Sequence, residues 1–396
     1  MKKYLFMAAV AGLTLTSCSQ DDLGMPNQGN QNEITFAAPV VGKMTRAFEV
    51  GNNYPTATDY NFAVWAYYFT GDYDGIGNGT LYMNEVEMQY DGSSTWAPKH
   101  QKYFWPKNGT LTFFGYSPAS VAGNASYTGD GKISFTDYEV STDRSQQVDL
   151  LFSERSYNQR KYTANASDKT TDDEAGANGT GATPDVKDDV YTGAHLVFKH
   201  ALSSLIFNVK TDKDYVTDNQ TEITLTGLTL NNVVSKGTFV QNIGDADGVQ
   251  TVPPTVNDDL GNDWTLSAEK ANYTVFPNVS NEATSFLLNT TAYWPVNNAN
   301  VANAPKDYTA GLRSTDLMLI PQPLTGITLT VNYTIKSKDS SAIPQVSTIN
   351  LTAPSGHGNA WDWGYRYIYT ITIGLENISI EPYVTDWKDV SSSPEI

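Results

Sequence analysis

The sequence predicts an all-β chain built as two β-sandwich domains in tandem, and three observations carry that prediction. Apolar and polar residues alternate at a period of two along several stretches, the spacing of a strand with one buried face. Clusters of Gly, Asn, Asp and Pro separate those stretches, as turns require. Beyond the first fifteen residues there is no apolar stripe at the helical period of 3.6.

Taken in chain order, the first predicted strand runs from Glu33 to Val40, with Ile34, Phe36, Ala38 and Val40 on one face. Phe62 to Phe69 is apolar on both faces and reads as a central strand. Leu205, Phe207 and Val209 share a face, as do Ile223 and Leu225. Ile327, Leu329, Val331, Tyr333 and Ile335 face one way, with Thr328, Thr330, Asn332 and Thr334 facing the other. Tyr367, Tyr369, Ile371, Ile373 and Leu375 repeat the pattern, and Ile378, Ile380, Pro382 and Val384 close the series. Pro382 cannot donate a ladder hydrogen bond and fits an edge strand or a bend. Many short strands at this spacing favour sandwiches.

Residues 163–190 hold almost no large apolar side chain and read as a long loop or linker. That places one sandwich at 33–190 and the second at 191–396. Tyr103-Phe104-Trp105-Pro106 is echoed by Ala292-Tyr293-Trp294-Pro295, a match too short to establish a repeat.

The N-terminus carries an export signal. Lys2 and Lys3 precede an uncharged apolar run from Leu5 to Leu15, too short to span a bilayer. Leu15-Thr16-Ser17-Cys18 then looks like a lipobox, and Cys18 is the chain's one cysteine, without a disulfide partner in the chain. Residues 1–18 are therefore read as a lipoprotein signal peptide, with lipid on Cys18 tethering the chain to the outer membrane. Several acyl chains together give a stable anchor, at ~0.8 kcal/mol per buried CH₂. Residues 19–32 follow as a flexible tether. Its start, Ser19-Gln20-Asp21-Asp22, resembles the surface-export signal of lipoproteins in the Bacteroides group, and a plain polar tether reads equally from the same residues.

The formal net charge of −18 repels nucleic acid and anionic membrane surfaces, so neither is a predicted partner. No catalytic, cofactor or metal site is predicted, and the chain does not read as an enzyme. His195 and His200 are five apart in a predicted strand, hence on opposite faces; His200 reads as a packed or hydrogen-bonded structural residue. His357 lies in a glycine-flanked loop, and no Gly-x-Ser-x-Gly elbow accompanies any histidine. Asp72-Tyr73-Asp74-Gly75 and Asp245-Ala246-Asp247-Gly248 lack the full ligand set of a calcium loop and read as β-turns. No phosphate-binding or dinucleotide fingerprint is present. Eight tryptophans and 24 tyrosines are expected to fill cores rather than to form a sugar-binding platform.

A family resemblance runs through the chain. Ile34-Thr35-Phe36, Thr45-Arg46-Ala47, Phe104-Trp105-Pro106 leading into Leu111-Thr112-Phe113-Phe114-Gly115-Tyr116-Ser117-Pro118, and Asp149-Leu150-Leu151-Phe152 occur in order. Leu196-Val197-Phe198-Lys199-His200-Ala201-Leu202-Ser203-Ser204-Leu205, Leu319-Ile320-Pro321-Gln322, Trp363-Gly364-Tyr365-Arg366-Tyr367 and Trp387 follow. Together these resemble the fimbrillin family of Mfa-like type. The resemblance implies sandwiches of transthyretin-like topology and a subunit of cell-surface pili in relatives of Bacteroides. It also implies a lipoprotein precursor cut by an Arg-specific surface protease, which frees an N-terminal strand and opens a groove for a strand of another subunit.

The sequence holds the matching parts. Arg46, one of six arginines, sits in Gly42-Lys43-Met44-Thr45-Arg46-Ala47 after the first predicted strand. A cut between Arg46 and Ala47 would separate the tether and that strand from the rest. Ile34, Phe36, Ala38 and Val40 at one end, and Ile378, Ile380 and Val384 at the other, have the spacing to fill similar grooves. Predicted partners are other pilus subunits, the protease, the outer membrane through lipid, and a host or bacterial surface ligand. The competing reading is a surface lipoprotein that binds glycans or host ligands and never polymerises.

Overall fold

A computed structural model describes residues 33–41, 54, 61–92, 95–129, 131–160, 193–241, 263–277, 284–288, 290 and 317–386. Cys18, Arg46, Ala47, the 163–190 segment and the expected turn at 245–248 lie outside these residues. The strands of the first half are β1 (Val40–Val41), β2 (Phe62–Phe69), β3 (Thr80–Tyr90), β4 (Trp96–Pro98), β5 (Thr110–Ser117), β6 (Ala125–Tyr127), β7 (Ile133–Glu139), β8 (Leu151–Ser153) and β9 (Ser156–Gln159). After residue 190 come β10 (Val197–His200), β11 (Ser203–Thr211), β12 (Thr221–Val234), β13 (Lys236–Val240), β14 (Trp264–Leu266), β15 (Lys270–Phe276) and β16 (Phe286–Leu288). The last are β17 (Leu317–Leu319), β18 (Gln322–Pro323), β19 (Thr328–Ser337), β20 (Ile343–Asn350), β21 (Ala360–Trp361), β22 (Tyr365–Ile373) and β23 (Ile378–Asp386). The fold is all-β, as the period-two patterning predicts.

An eight-stranded sheet runs β1-β10-β8-β5-β2-β3-β4, with β9 paired to β5. A second sheet, β14-β13-β7-β6, packs beside it. Both draw strands from either side of residue 190: β10 pairs with β8, and β13 pairs with β7. The remaining large sheets, β17-β11-β22-β23 and β15-β12-β19-β20, turn their alternating apolar residues toward each other. Leu205, Phe207 and Val209 of β11, Tyr367, Tyr369 and Ile371 of β22, and Leu329 and Val331 of β19 share one core. The threonines of β19 face outward, which is why its alternation is so regular.

The apolar run of β2 has a different cause. Phe62, Val64 and Ala66 enter one core, whereas Ala63 and Trp65 enter another. The neighbouring β5 divides in the same way, with Leu111 and Phe113 on one side and Phe114 and Tyr116 on the other. A strand buried on both faces loses its polar alternation. Trp65, Trp96, Trp105, Trp264, Trp361 and Trp363, the described tryptophans, are all buried, so these rings fill cores.

No helix among the described residues is long and apolar enough to cross a membrane.

Candidate functional site

The first predicted strand occupies a special place. Its residues lie between the two ends of the eight-stranded sheet and hydrogen-bond to both. On the β4 side, Ile34 N–H donates to the Tyr103 carbonyl at 2.8 Å and Phe36 N–H to the Trp96 carbonyl at 2.8 Å. Trp96 N–H donates back to the Phe36 carbonyl at 2.9 Å. On the opposite side, Ala37 N–H donates to the Ala194 carbonyl at 2.9 Å and Ala194 N–H to the Thr35 carbonyl at 2.8 Å. β1 then pairs in parallel with β10, Val40 opposite Val197 and Val41 opposite Phe198. Residues 33–41 thus close the sheet into a barrel.

The side chains follow from that position. Ile34 and Phe36 are completely buried, and Ala38 is half-buried against the same core. The Phe36 ring meets Phe62 and Phe113 edge-on, at centroid distances of 5.8 and 5.2 Å. Farther along, Val41 is buried in this core, on the opposite parity from Phe36. At the barrel mouth, Lys102 Nζ lies 2.7 Å from the Glu33 carboxylate. Gly193 makes the close passage: its φ is +107°, and a Cβ there would sit 2.4 Å from Ala37 N and 2.5 Å from the Phe36 carbonyl carbon. Only glycine takes that conformation at little cost and leaves room for the passing backbone.

At the other end of the chain, β23 pairs antiparallel with β22 from Ile373–Ile378 to Tyr365–Asp386. It is the terminal strand of its sheet. Ile378, Ile380 and Val384 are half-buried against the main core, while Tyr383 is exposed on the far face. Pro382 stands opposite Tyr369, a tolerable place for a residue without an N–H because the strand has one neighbour. The two sequence-predicted strand sets are therefore apart, one closing the barrel and the other edging the second core.

His195, His200 and His357 serve packing, whereas His100 is exposed. His200 is buried with Nδ1 2.9 Å from Asp149. Burial holds the His195 pKa below its ordinary value. His357 Nδ1 lies 3.2 Å from Asp362 Oδ2, and Ser203 Oγ donates to the Asp362 carbonyl at 2.7 Å. Burial raises the Asp362 pKa. The Ser203 bond ties the 354–362 segment to β11, and the Asp362 N–H, donating to Tyr367 Oη at 2.9 Å, ties it to β22. Among the described residues, no group of three or more His, Cys, Asp or Glu is placed to hold a metal ion.

Sequence reading missed Gly193, Trp96 and Tyr103 as parts of this site. A lone glycine before Ala194 carries no sign of a backbone crossing, and a β4 of three residues is too short to show alternation.

Comparison with known proteins adds the family. A fimbrial protein from Bacteroides vulgatus is similar at 17% identity, with 90% of this chain and 100% of that chain covered and a TM-score of 0.46. A fimbrilin from Porphyromonas gingivalis is similar at 10% identity, covering 91% and 99%, with a TM-score of 0.36. No curated protein matches the chain. The model of the fimbrillin-like family matches residues 45–387, a span that takes in every strand from β2 to β23, and the chain belongs to that family.

Proposed function

We propose that this chain is a structural subunit of a cell-surface pilus that supports adhesion. It is exported as a lipoprotein through Cys18, cut after Arg46 by an Arg-specific surface protease, and joined to other subunits by strand exchange. Until the cut it stays at the outer membrane; afterwards it belongs to the fimbria.

The observation that carries this reading is the barrel closure by residues 33–41, a strand that ends five residues before Arg46. Once cut, that strand is held only by non-covalent contacts. Burial of Ile34, Phe36 and Val41 at ~1.5–3 kcal/mol each amounts to roughly 5–9 kcal/mol before entropic costs. An incoming strand recovers the same burial and backbone pairing, which is the logic of strand addition. β23, an edge strand with Ile378, Ile380 and Val384 as anchors, is the segment available for donation to another subunit.

The test is treatment of the folded protein with an Arg-specific protease. A new N-terminus at Ala47 is expected, with SDS-resistant assembly of the cut protein when the other subunits of the pilus are present. A folded chain left whole at Arg46, or cut without association with any other pilus subunit, would refute the proposal.

A further inference from the structure

The groove that holds residues 33–41 discriminates among side chains. The Phe36 site is walled by the ring edges of Phe62 and Phe113, with the Trp105 ring 5.8 Å from Phe113 behind them. The Ile34 site, two residues earlier on the same face, is fully closed to solvent. Just past the Phe36 site the occupant's backbone at residues 36–37 passes so close to Gly193 that a Cβ there would meet it, and the hydrogen bonds of residues 34–37 to Tyr103, Trp96 and Ala194 set one register.

This chain's own last strand fits that register poorly. Its inward face offers Ile378, Ile380, Pro382 and Val384, and no ring. Seating Ile378 in the Ile34 site puts Ile380 where Phe36 stands and leaves part of a ring-shaped space empty. Moving two residues on puts Pro382 there, which cannot supply the N–H that Phe36 donates to Trp96. Reversing the strand brings no ring to that face. The aromatic residue of β23, Tyr383, lies on the other face; placing it in the Phe36 site forces Glu381 or Thr385 into the apolar Ile34 site, where an unpaired polar group is costly.

We propose that the groove lined by Phe62, Phe113, Trp96 and Gly193 selects strands with an aliphatic-x-aromatic pattern. Its partner is then a strand of a different subunit carrying that pattern, and this chain's own β23 is a poor occupant. The inference rests on the strand-exchange reading above. It makes the chain a position-specific subunit, taking one kind of strand and donating another.

The experiment uses the full chain produced without lipid, labelled with a dye on Cys18 and cut after Arg46, so that fluorescence anisotropy follows loss of the N-terminal fragment. Competitors are four peptides: residues 33–41, the same with Phe36→Ala, the same with Phe36→Ile, and residues 378–386. The native peptide is expected to displace the fragment. Phe36→Ala should need at least about a hundredfold more peptide, and Phe36→Ile and 378–386 at least about tenfold more. Equal potency of all four peptides would overturn the selectivity while leaving strand exchange standing. Failure of every peptide, the native one included, would overturn strand exchange and the selectivity with it.

Discussion

Replacing Phe36 with alanine in the uncut chain isolates what the closing strand contributes to the fold. The side chain is completely buried and makes two edge-to-face ring contacts. Truncation of such a phenylalanine costs about 3–5 kcal/mol, because the lost transfer energy is joined by a cavity that rings on either side cannot collapse. With a urea m-value of about 2 kcal/mol per molar, the unfolding midpoint of the barrel should fall by roughly 1.5–2.5 M at unchanged slope. Tryptophan fluorescence suits the measurement, since Trp96 and Trp105 lie in this core. Hydrogen exchange at the Ala37 and Ala194 amides, which bond across the closure, reports local opening separately. Phe104→Ala is the control: that ring is 42% exposed, and its loss should cost less than about 1 kcal/mol. If Phe36→Ala were as mild as Phe104→Ala, residues 33–41 would be a surface strap rather than a closing strand, and the groove argument would collapse.

Three other outcomes follow from the same geometry. Gly193→Ala should shorten retention of the labelled fragment after the cut and make all competing strands bind worse alike, because the added Cβ meets the occupant's backbone; unchanged retention would show that the passage is loose. Arg46→Ala should leave the urea midpoint within about 0.5 kcal/mol of the parent while N-terminal sequencing finds no Ala47 start after protease treatment. His195 has a folded pKa below its ordinary 6.5, so its neutral form is favoured in the fold. The associated stability is whole above the unfolded pKa and is lost as pH falls from there toward the folded pKa; His195→Gln should flatten that acid limb of the denaturation midpoints, and a limb of the same slope would assign it elsewhere.

How legible each strand was depended on what covers it. β19 and β22 have a buried face and a partly exposed one, so their alternation could be read directly from Ile327 to Ile335 and from Tyr367 to Ile373. β2 was legible for the opposite reason, its unbroken apolar run marking two cores. β8 escaped notice as a separate strand, since three residues carry too little periodicity, whereas β10 lies within the strand expected through His195 and His200. Nor did local pattern show that β10, after the 163–190 segment, would return to the first sheet; that pairing depends on an edge left by β8. In the first strand, Ile34 and Phe36 were readable as core, but the buried Val41 on the other parity was not, because the change of pairing partner from β4 to β10 breaks the period within nine residues. Gly193 was invisible in principle, since its role lies in what passes by it.

The two-sided burial of β2 and β5 carries a further consequence. A single layer of backbone forms the wall of the closed barrel and, at the same time, the wall of the larger core, with Phe36 touching Phe62 and Phe113 on one side and Trp65 stacked on Phe114 at 5.6 Å on the other. No loop or hinge intervenes between these faces. A partition so thin transmits displacement, so the identity of whatever strand fills the barrel is registered as pressure on the far side, and neither chamber can be repacked while the other stays as it was.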